Sequence, residues 1–346
     1  MKQILFIFLA AIITVSAFAQ ANLQTAATVN LVRTEQITVG QLRAEVERMQ
    51  RSTNRTLTQQ ERLQVLDVMI NERLVLQAAE RDRQTISEQE VNQQLQQFRN
   101  QMAQQLGRQP TDAEFAQAVQ NESGLNVSEF SAQLRRQMTV QKYLLWKKKD
   151  LFDSIRPPTD AEIAAEYTIR RTELVRPDTI RFTMIQVPYG ADAASRQRAR
   201  TLADSLVREI NNDPSKFDEV ATRSVAPNSG YQAGDAGYIP RNADARQVLG
   251  QPFLDVAFAL RQGQVSRLIE GQQGFQIIKV TESYASRQLE LTDILQLGTA
   301  ITVRDYIGQF LLNQRQQAIL TQASNELIAE LRTGRTFTVL ENNIRW

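Results

Sequence analysis

The chain has 346 residues, 42% hydrophobic and 23% charged, with 40 Lys plus Arg against 38 Asp plus Glu and a net charge of +2. That is an ordinary globular composition at a length suited to two or three domains. Cysteine and histidine are both absent, which excludes a disulfide framework, a thiolate nucleophile, the usual zinc sites, Ser-His-Asp and Cys-His catalysis, and any imidazole acid–base step. Basic residues are scattered among acidic ones, so no nucleic-acid footprint is expected. The single basic run, Lys147-Lys148-Lys149, follows an apolar helical stretch and reads as positive charge at a helix C-terminus.

Lys2 precedes an apolar run from Ile4 to Phe18, and Ala17-Phe18-Ala19 offers a small-x-small cleavage site before Gln20. This predicts a signal peptide over 1–19, cleaved after Ala19, and an exported, periplasmic mature chain. No Cys follows Ala19, so a lipid anchor of the bacterial lipoprotein kind is not expected, and no later stretch approaches the roughly 20 apolar residues of a membrane span. No P-loop is present, and neither a nucleotide nor any other cofactor or metal is expected.

Next come the strand-like "ATVN" and "ITVG", then a helix entered at Gln41. From Thr58, Leu63, Leu66, Ile70 and Leu74 recur at spacings of three and four, with Val68 and Val75 extending the stripe to a second face. Ser87 with Glu90 makes a capping box. The Gln-rich segment behind it carries Val91, Leu95, Phe98, Met102 and Leu106 at helical spacing, which predicts a long amphipathic helix with a polar Gln face. Further helices are expected from Thr111 or Asp112 and from Ser128, the latter running through Leu134 and Met138 towards Leu145. Pro157-Pro158 ends that assembly, and Thr159 with Glu162 starts a new helix. Beyond Pro177 the pattern changes. A strand over 179–187 precedes a helix from Ser195 carrying Leu202, Leu206 and Ile210, and the short helix "SKFDEVATRS". A loop with Gly234 and Gly237 as turn glycines follows, then a helix over Pro252–Leu260 and strands at Val265–Ile269 and Phe275–Val280. A long helix from about Thr302 to Arg332, closed by Gly334, leads to the strand-like "TFTVL". The fold class is therefore α+β: a helical body, and a small domain of helices over an antiparallel sheet.

That second domain resembles a parvulin-type peptidyl-prolyl isomerase, on "FDEVATRS" (217–224), "GDAGYI" (234–239), "PFLDVAFAL" (252–260), "GQVS" (263–266) and "GFQIIKV" (274–280). The flanks "VLDVMINERLVLQAAERD", "SEFSAQLRRQMTVQKYL" and "TDAEIAAEY" are similar to the N-terminal domain of periplasmic chaperones of the SurA/PrsA kind, and "GTAITVRDYI" to their returning C-terminal segment. The resemblance implies a helical chaperone domain over 20–155, a linker helix over 156–174, a parvulin-like domain with a four-stranded antiparallel sheet over 175–283, and a segment 284–346 completing the helical body. Its implied partners are unfolded or nascent outer-membrane and secreted polypeptides and proline-containing peptides, with no nucleic acid, nucleotide or membrane span. Parvulins characteristically carry two histidines and a cysteine or aspartate around the bound proline. Here Met184 stands at the first histidine position, Val225 or Ala226 at the acidic or thiol position, and Gln276 at the second histidine. Phe253 and Phe258 match the proline-binding aromatics, so Phe253, Phe258, Gln276 and Met184 form the candidate peptide site. Three functions stay open: a holdase with a weak or inactive isomerase domain, an active isomerase with non-standard residues, and a structural envelope protein using the fold as scaffold.

Overall fold

A computed structural model describes residues 22–346; the expected signal peptide and its cleavage site lie outside the described residues. The chain forms two compact units, one reaching to Ile155 and including Arg315–Trp346, the other Arg156–Gln314.

The first unit begins with an antiparallel hairpin, β1 (Thr25–Asn30) and β2 (Thr34–Thr38). Three backbone N–H groups in its turn need an acceptor, and one side chain from α2 (Gln59–Arg81) supplies it. The buried Gln77 Oε1 accepts from Leu31, Val32 and Arg33 at 3.1, 2.9 and 3.4 Å. Removing that acceptor would strand donors in a shielded place, at about 1–3 kcal/mol. Between hairpin and α2 lies α1 (Val39–Thr53), capped by Thr38 with Gln41 rather than entered at Gln41. Leu42 and Val46 of α1 join Leu66, Ile70, Leu74, Val75 and Ala78 of α2 in one core. Val68 departs from the expected stripe. It is 67% exposed, because two positions from Leu66 is the wrong step to share its helix face.

Capping boxes open α3 (Glu88–Leu106) at Ser87, α4 (Asp112–Ser123) at Thr111 and α5 (Val127–Lys147) at Asn126, two residues before the expected Ser128. The α3 stripe begins buried at Val91, becomes half-buried at Phe98 and Met102, and ends 46% exposed at Leu106. The basic run lies at a helix C-terminus as expected, with Lys147 in the last turn of α5 and Lys148 as its C-cap. Lys148 bonds Glu326 and Glu330 at 3.1 and 2.6 Å, and Lys149 starts α6 (Lys149–Asp153), paired with Asp153.

The second unit starts with α7 (Asp160–Arg170), capped by Thr159 and Glu162. A two-residue ribbon, β3 (Val175–Arg176) with β8 (Arg287–Gln288), frames the sheet domain, and the Leu289 N–H donates to the Leu174 carbonyl at 2.9 Å. Inside that frame lie β4 (Thr179–Pro188), α8 (Ala193–Ile210), α9 (Pro214–Arg223), β5 (Gln232–Pro240), α10 (Ala243–Leu249), α11 (Gln251–Ala259), β6 (Ile269–Glu270) and β7 (Gly274–Tyr284). The sheet order is β5-β4-β7-β6, antiparallel throughout. Period-two alternation sends Ile185, Val187, Phe275 and Ile277 to a core with Ala203, Leu206 and Phe217, and Ile180, Phe182, Ile278 and Val280 to a core with Phe253, Leu254 and Ala257. Three local expectations are corrected. The strand expected at Val265–Ile269 is an isolated bridge from Val265 to Lys279 followed by the two-residue β6. Gly234 sits in β5 without a positive φ, whereas Gly237 has φ +74°. The loop expected to carry both glycines is in large part the strand β5.

Long α12 (Val303–Leu331) gives Val303 and Ile307 to a cluster with Ile163, Leu174 and Leu289, and Ala323, Leu327 and Leu331 to the core of the first unit. Its sequel β9 (Phe337–Val339) pairs antiparallel with β1. Among the described residues no helix is long and apolar enough to cross a membrane.

In the first unit the buried Tyr143 hydroxyl donates to Asp82 at 2.7 Å. Burial, then Asp82, pushes the phenol up to about 12, while Arg81 holds Asp82 down to about 2. The lowered carboxyl contributes stability present above its ordinary range near 4 and lost as pH falls towards about 2. The raised phenol contributes stability present below about 10 and lost as pH rises through about 12. Thermal melts followed by circular dichroism should therefore show Tyr143→Phe less stable than wild type at pH 7, with the gap closing as pH rises from about 10 through about 12. A gap constant up to pH 12 would show that the hydroxyl does not titrate with folding.

Candidate functional site

The candidate residues converge on the sheet face covered by α11. Gln276 lies in β7 directly opposite Gln186 of β4 and Ile269 of β6. Met184, one alternation along β4, lies opposite Ile278 and Gly234. Cross-strand partners share a face, so two amides stand side by side beside a thioether. Gln276 is 8% exposed. A Cβ added to Gly271 would come within 2.7 Å of Gln276 Oε1, so the β6–β7 turn lies close against the amide and a side chain there would push the amide aside. Neither Gln276 nor Gln186 makes a side-chain hydrogen bond to another described residue. An amide this shielded with its donors and acceptors unspent is a place where a peptide backbone or water gains hydrogen bonds without displacing an internal one.

The two aromatics part company. Phe253 is 2% exposed, its ring 5.5 Å from that of Phe182 and tilted 51° against it, so it is floor and core at once. Phe258 is half-buried on the same cluster, with the Arg241 guanidinium 5.3 Å from its ring. Ala226 is exposed in the turn after α9, next to Val225 at 88%. The structure thus brings Met184, Gln276, Phe253 and Phe258 to one cluster and leaves Ala226 at the surface. Sequence reasoning missed Gln186, Phe182 and Gly271. Their signal was strand register, which a single sequence does not carry.

None of Met184, Gln186, Gln276, Phe253 and Phe258 titrates in the physiological range, so this face cannot move a proton. Charged side chains of β4, β5 and β7 meet at Arg181 instead. It bonds Asp235 at 2.9 and 2.5 Å and Glu282 at 3.0 Å, and the Tyr238 and Tyr284 hydroxyls donate to Glu282 at 2.9 and 2.5 Å. Arg181 holds the Asp235 carboxyl below its ordinary range; the two phenols and Arg181 do the same for Glu282. These residues tie β4, β5 and β7 together. Among the described residues no group of three or more His, Cys, Asp or Glu could hold a metal ion.

Comparison with known proteins finds two family matches: residues 181–282 match the PPIC-type PPIase (rotamase) domain, and residues 1–144 the SurA-like N-terminal domain. The chaperone SurA of Saccharophagus degradans is 27% identical over 229 residues, 64% of this chain and 48% of that protein. The peptidyl-prolyl cis-trans isomerase Pin1 of Digitalis lanata is 32% identical over 89 residues, 26% of this chain and 71% of that protein. The chain spans about half the length of the SurA relatives it matches. A solved structure among the SurA-like chaperones PEB4 and Cj1289 of Campylobacter jejuni superimposes with a TM-score of 0.38 at 13% identity, over 91% of this chain and 98% of that one.

Because Phe253 packs as core, Phe253→Ala should cost the sheet domain about 3–5 kcal/mol, the scale for a fully buried phenyl ring. Gln276→Ala should cost under about 1 kcal/mol, since no internal hydrogen bond is lost. Urea unfolding of both variants measures this, and equal costs would show that Gln276 is held by the protein rather than offered to a ligand.

Proposed function

The chain belongs to the SurA/PrsA-like parvulin chaperones, and from that premise we propose an exported, periplasmic, ATP-independent holdase for unfolded outer-membrane or secreted polypeptides, whose parvulin-like domain binds proline-bearing segments with little or no catalysis. One observation carries the second half: the sheet face that would meet the proline presents Met184, Gln186 and Gln276, with Ala226 exposed at the remaining family position. Isomerisation must cross a barrier of about 18–20 kcal/mol by favouring a twisted, less conjugated amide. Apolar walls such as Phe258 and Met184 and hydrogen bonds from two amides supply part of that preference. They do not reproduce a histidine pair, whose tautomers donate and accept in a fixed sense. Losing one preorganised donor from a site typically costs a factor of about 10²–10³.

Holding rests on a different kind of support. A chaperone that binds the unfolded state without nucleotide needs uncovered apolar surface and sites for backbone pairing, and the distal part of α3 leaves Phe98, Met102 and Leu106 incompletely covered. Two assays on one preparation test the reading. The rate constant for proline-limited peptide isomerisation should fall at least about a hundredfold below that of a histidine-bearing parvulin. The same preparation should suppress aggregation of an unfolded outer-membrane protein at near-stoichiometric ratio. A normal isomerase rate contradicts the first half, and unchecked aggregation contradicts the second.

A further inference from the structure

The incompletely covered stripe of α3 leads to a second site, away from the parvulin-like sheet. Between α3, α4 and α5 lies a cavity of about 320 Å³ with Phe98, Met102, Phe115, Val119 and Phe130 among its lining. Phe115 and Val119 are buried and make its floor, whereas Phe98, Met102 and Phe130 are half-buried walls. The Phe98 and Phe130 rings stand 6.0 Å apart. The Arg99 guanidinium lies 4.2 Å from the Phe115 ring and pairs with Asp112 at 2.8 Å, which fixes the floor. Gln101, Gln105 and Glu122 are exposed lining residues at the mouth.

Three features define what fits. The volume is at the low end for ligand sites, enough for one large apolar side chain and adjoining main chain. Gln101 and Gln105 make no side-chain hydrogen bond to another described residue, so each amide can donate to a carbonyl and accept from an N–H of an extended strand. Glu122 is the sole charged residue among those lining the cavity and has no ion pair among the described residues. A cation beside the seated residue would therefore complement it, and an anion would be repelled.

We propose that this cavity is a socket for an extended polypeptide segment in which a large apolar residue lies next to Lys or Arg. The socket rests on the holdase reading and gives it a location and a sequence preference. Its walls are uncovered in the folded chain because the seated side chain completes them.

The test uses the full chain and two labelled peptides, each with one central Phe, flanked in one case by Lys and in the other by Asp, followed by fluorescence anisotropy at low salt. The Lys-flanked peptide should bind about tenfold more tightly than the Asp-flanked one, and the difference should shrink as salt screens Glu122. Glu122→Lys, a surface change, should abolish or invert the preference, and Ala118→Trp, which fills the cavity, should weaken both peptides about tenfold or more with helical content intact. Affinities unchanged in both variants overturn the socket. Aggregation suppression by wild type with neither peptide bound also overturns it, while leaving the holdase reading in place. Peptide binding with the expected variant responses but no suppression supports the socket and defeats the holdase reading. Sedimentation that shows a dimer lost in Ala118→Trp, with no peptide bound, assigns the cavity to a second copy of the chain and overturns the proposal.

Discussion

The antiparallel pairing of Ala27, Thr28 and Val29 with Val339, Thr338 and Phe337 is the contact on which the rest of the structure depends. It gives β1 a partner on its second edge, so the small sheet is built from segments far apart in sequence. Around it, Leu327, Leu331 and Ile344 enter the core with Leu66, Ile70 and Leu74. Arg332 bonds Asp67 and Asn71, and the Trp346 ring has the guanidinium carbons of Arg43 and Arg62 each at 4.7 Å. The second unit, Arg156–Gln314, is an insertion into the chain that builds this core. Closing so long a loop costs only logarithmically more than closing a short one, so a few well-packed contacts suffice and the inserted domain is free to diverge.

The inserted sheet domain shows where that freedom has been used. The core on the opposite face, with Ile185, Val187 and Phe217, and the Arg181 cluster hold the strands without help from Met184, Gln186 and Gln276. A fold anchored in this way tolerates exchange of polar residues on that face without losing its register. What changes is chemistry: amides and a thioether bind through hydrogen bonds and dispersion but have no pKa to tune. Peptide contact and catalysis can be separated on such a surface.

Much of this was legible in the sequence because helices announce themselves locally. The capping boxes at Ser87, Thr111 and Thr159 are fixed by residues three apart, and the Leu66–Leu74 stripe by the helical period. The α+β class and the four-stranded antiparallel sheet followed from order and resemblance. What escaped was non-local. Gln186 opposite Gln276 and Phe182 against Phe253 depend on register, and Val68 pointing to solvent depends on which face α2 buries. The cavity beside Phe98 was hidden for a subtler reason. The Val91–Leu106 spacing is what a fully buried helix would also show, and only the positions of α4 and α5 leave its far half open. Lys148 reaching Glu326 and Glu330 likewise required knowing which part of the chain returns.

The most direct test of whether holding belongs to the helical body is to remove the sheet domain at its frame. Leu174 and Leu289 are already hydrogen-bonded neighbours through the β3–β8 ribbon, so residues 177–286 can be replaced by a tight turn between Arg176 and Arg287. Aggregation suppression of an unfolded outer-membrane protein by this shortened chain is the measurement, with circular dichroism and tryptophan fluorescence of Trp146 and Trp346 confirming that the helical body is folded. Retention of most of the suppressing activity is the expected result. Loss of that activity from a folded helical body would place the client site on the parvulin-like domain and contradict a division of labour between the two units.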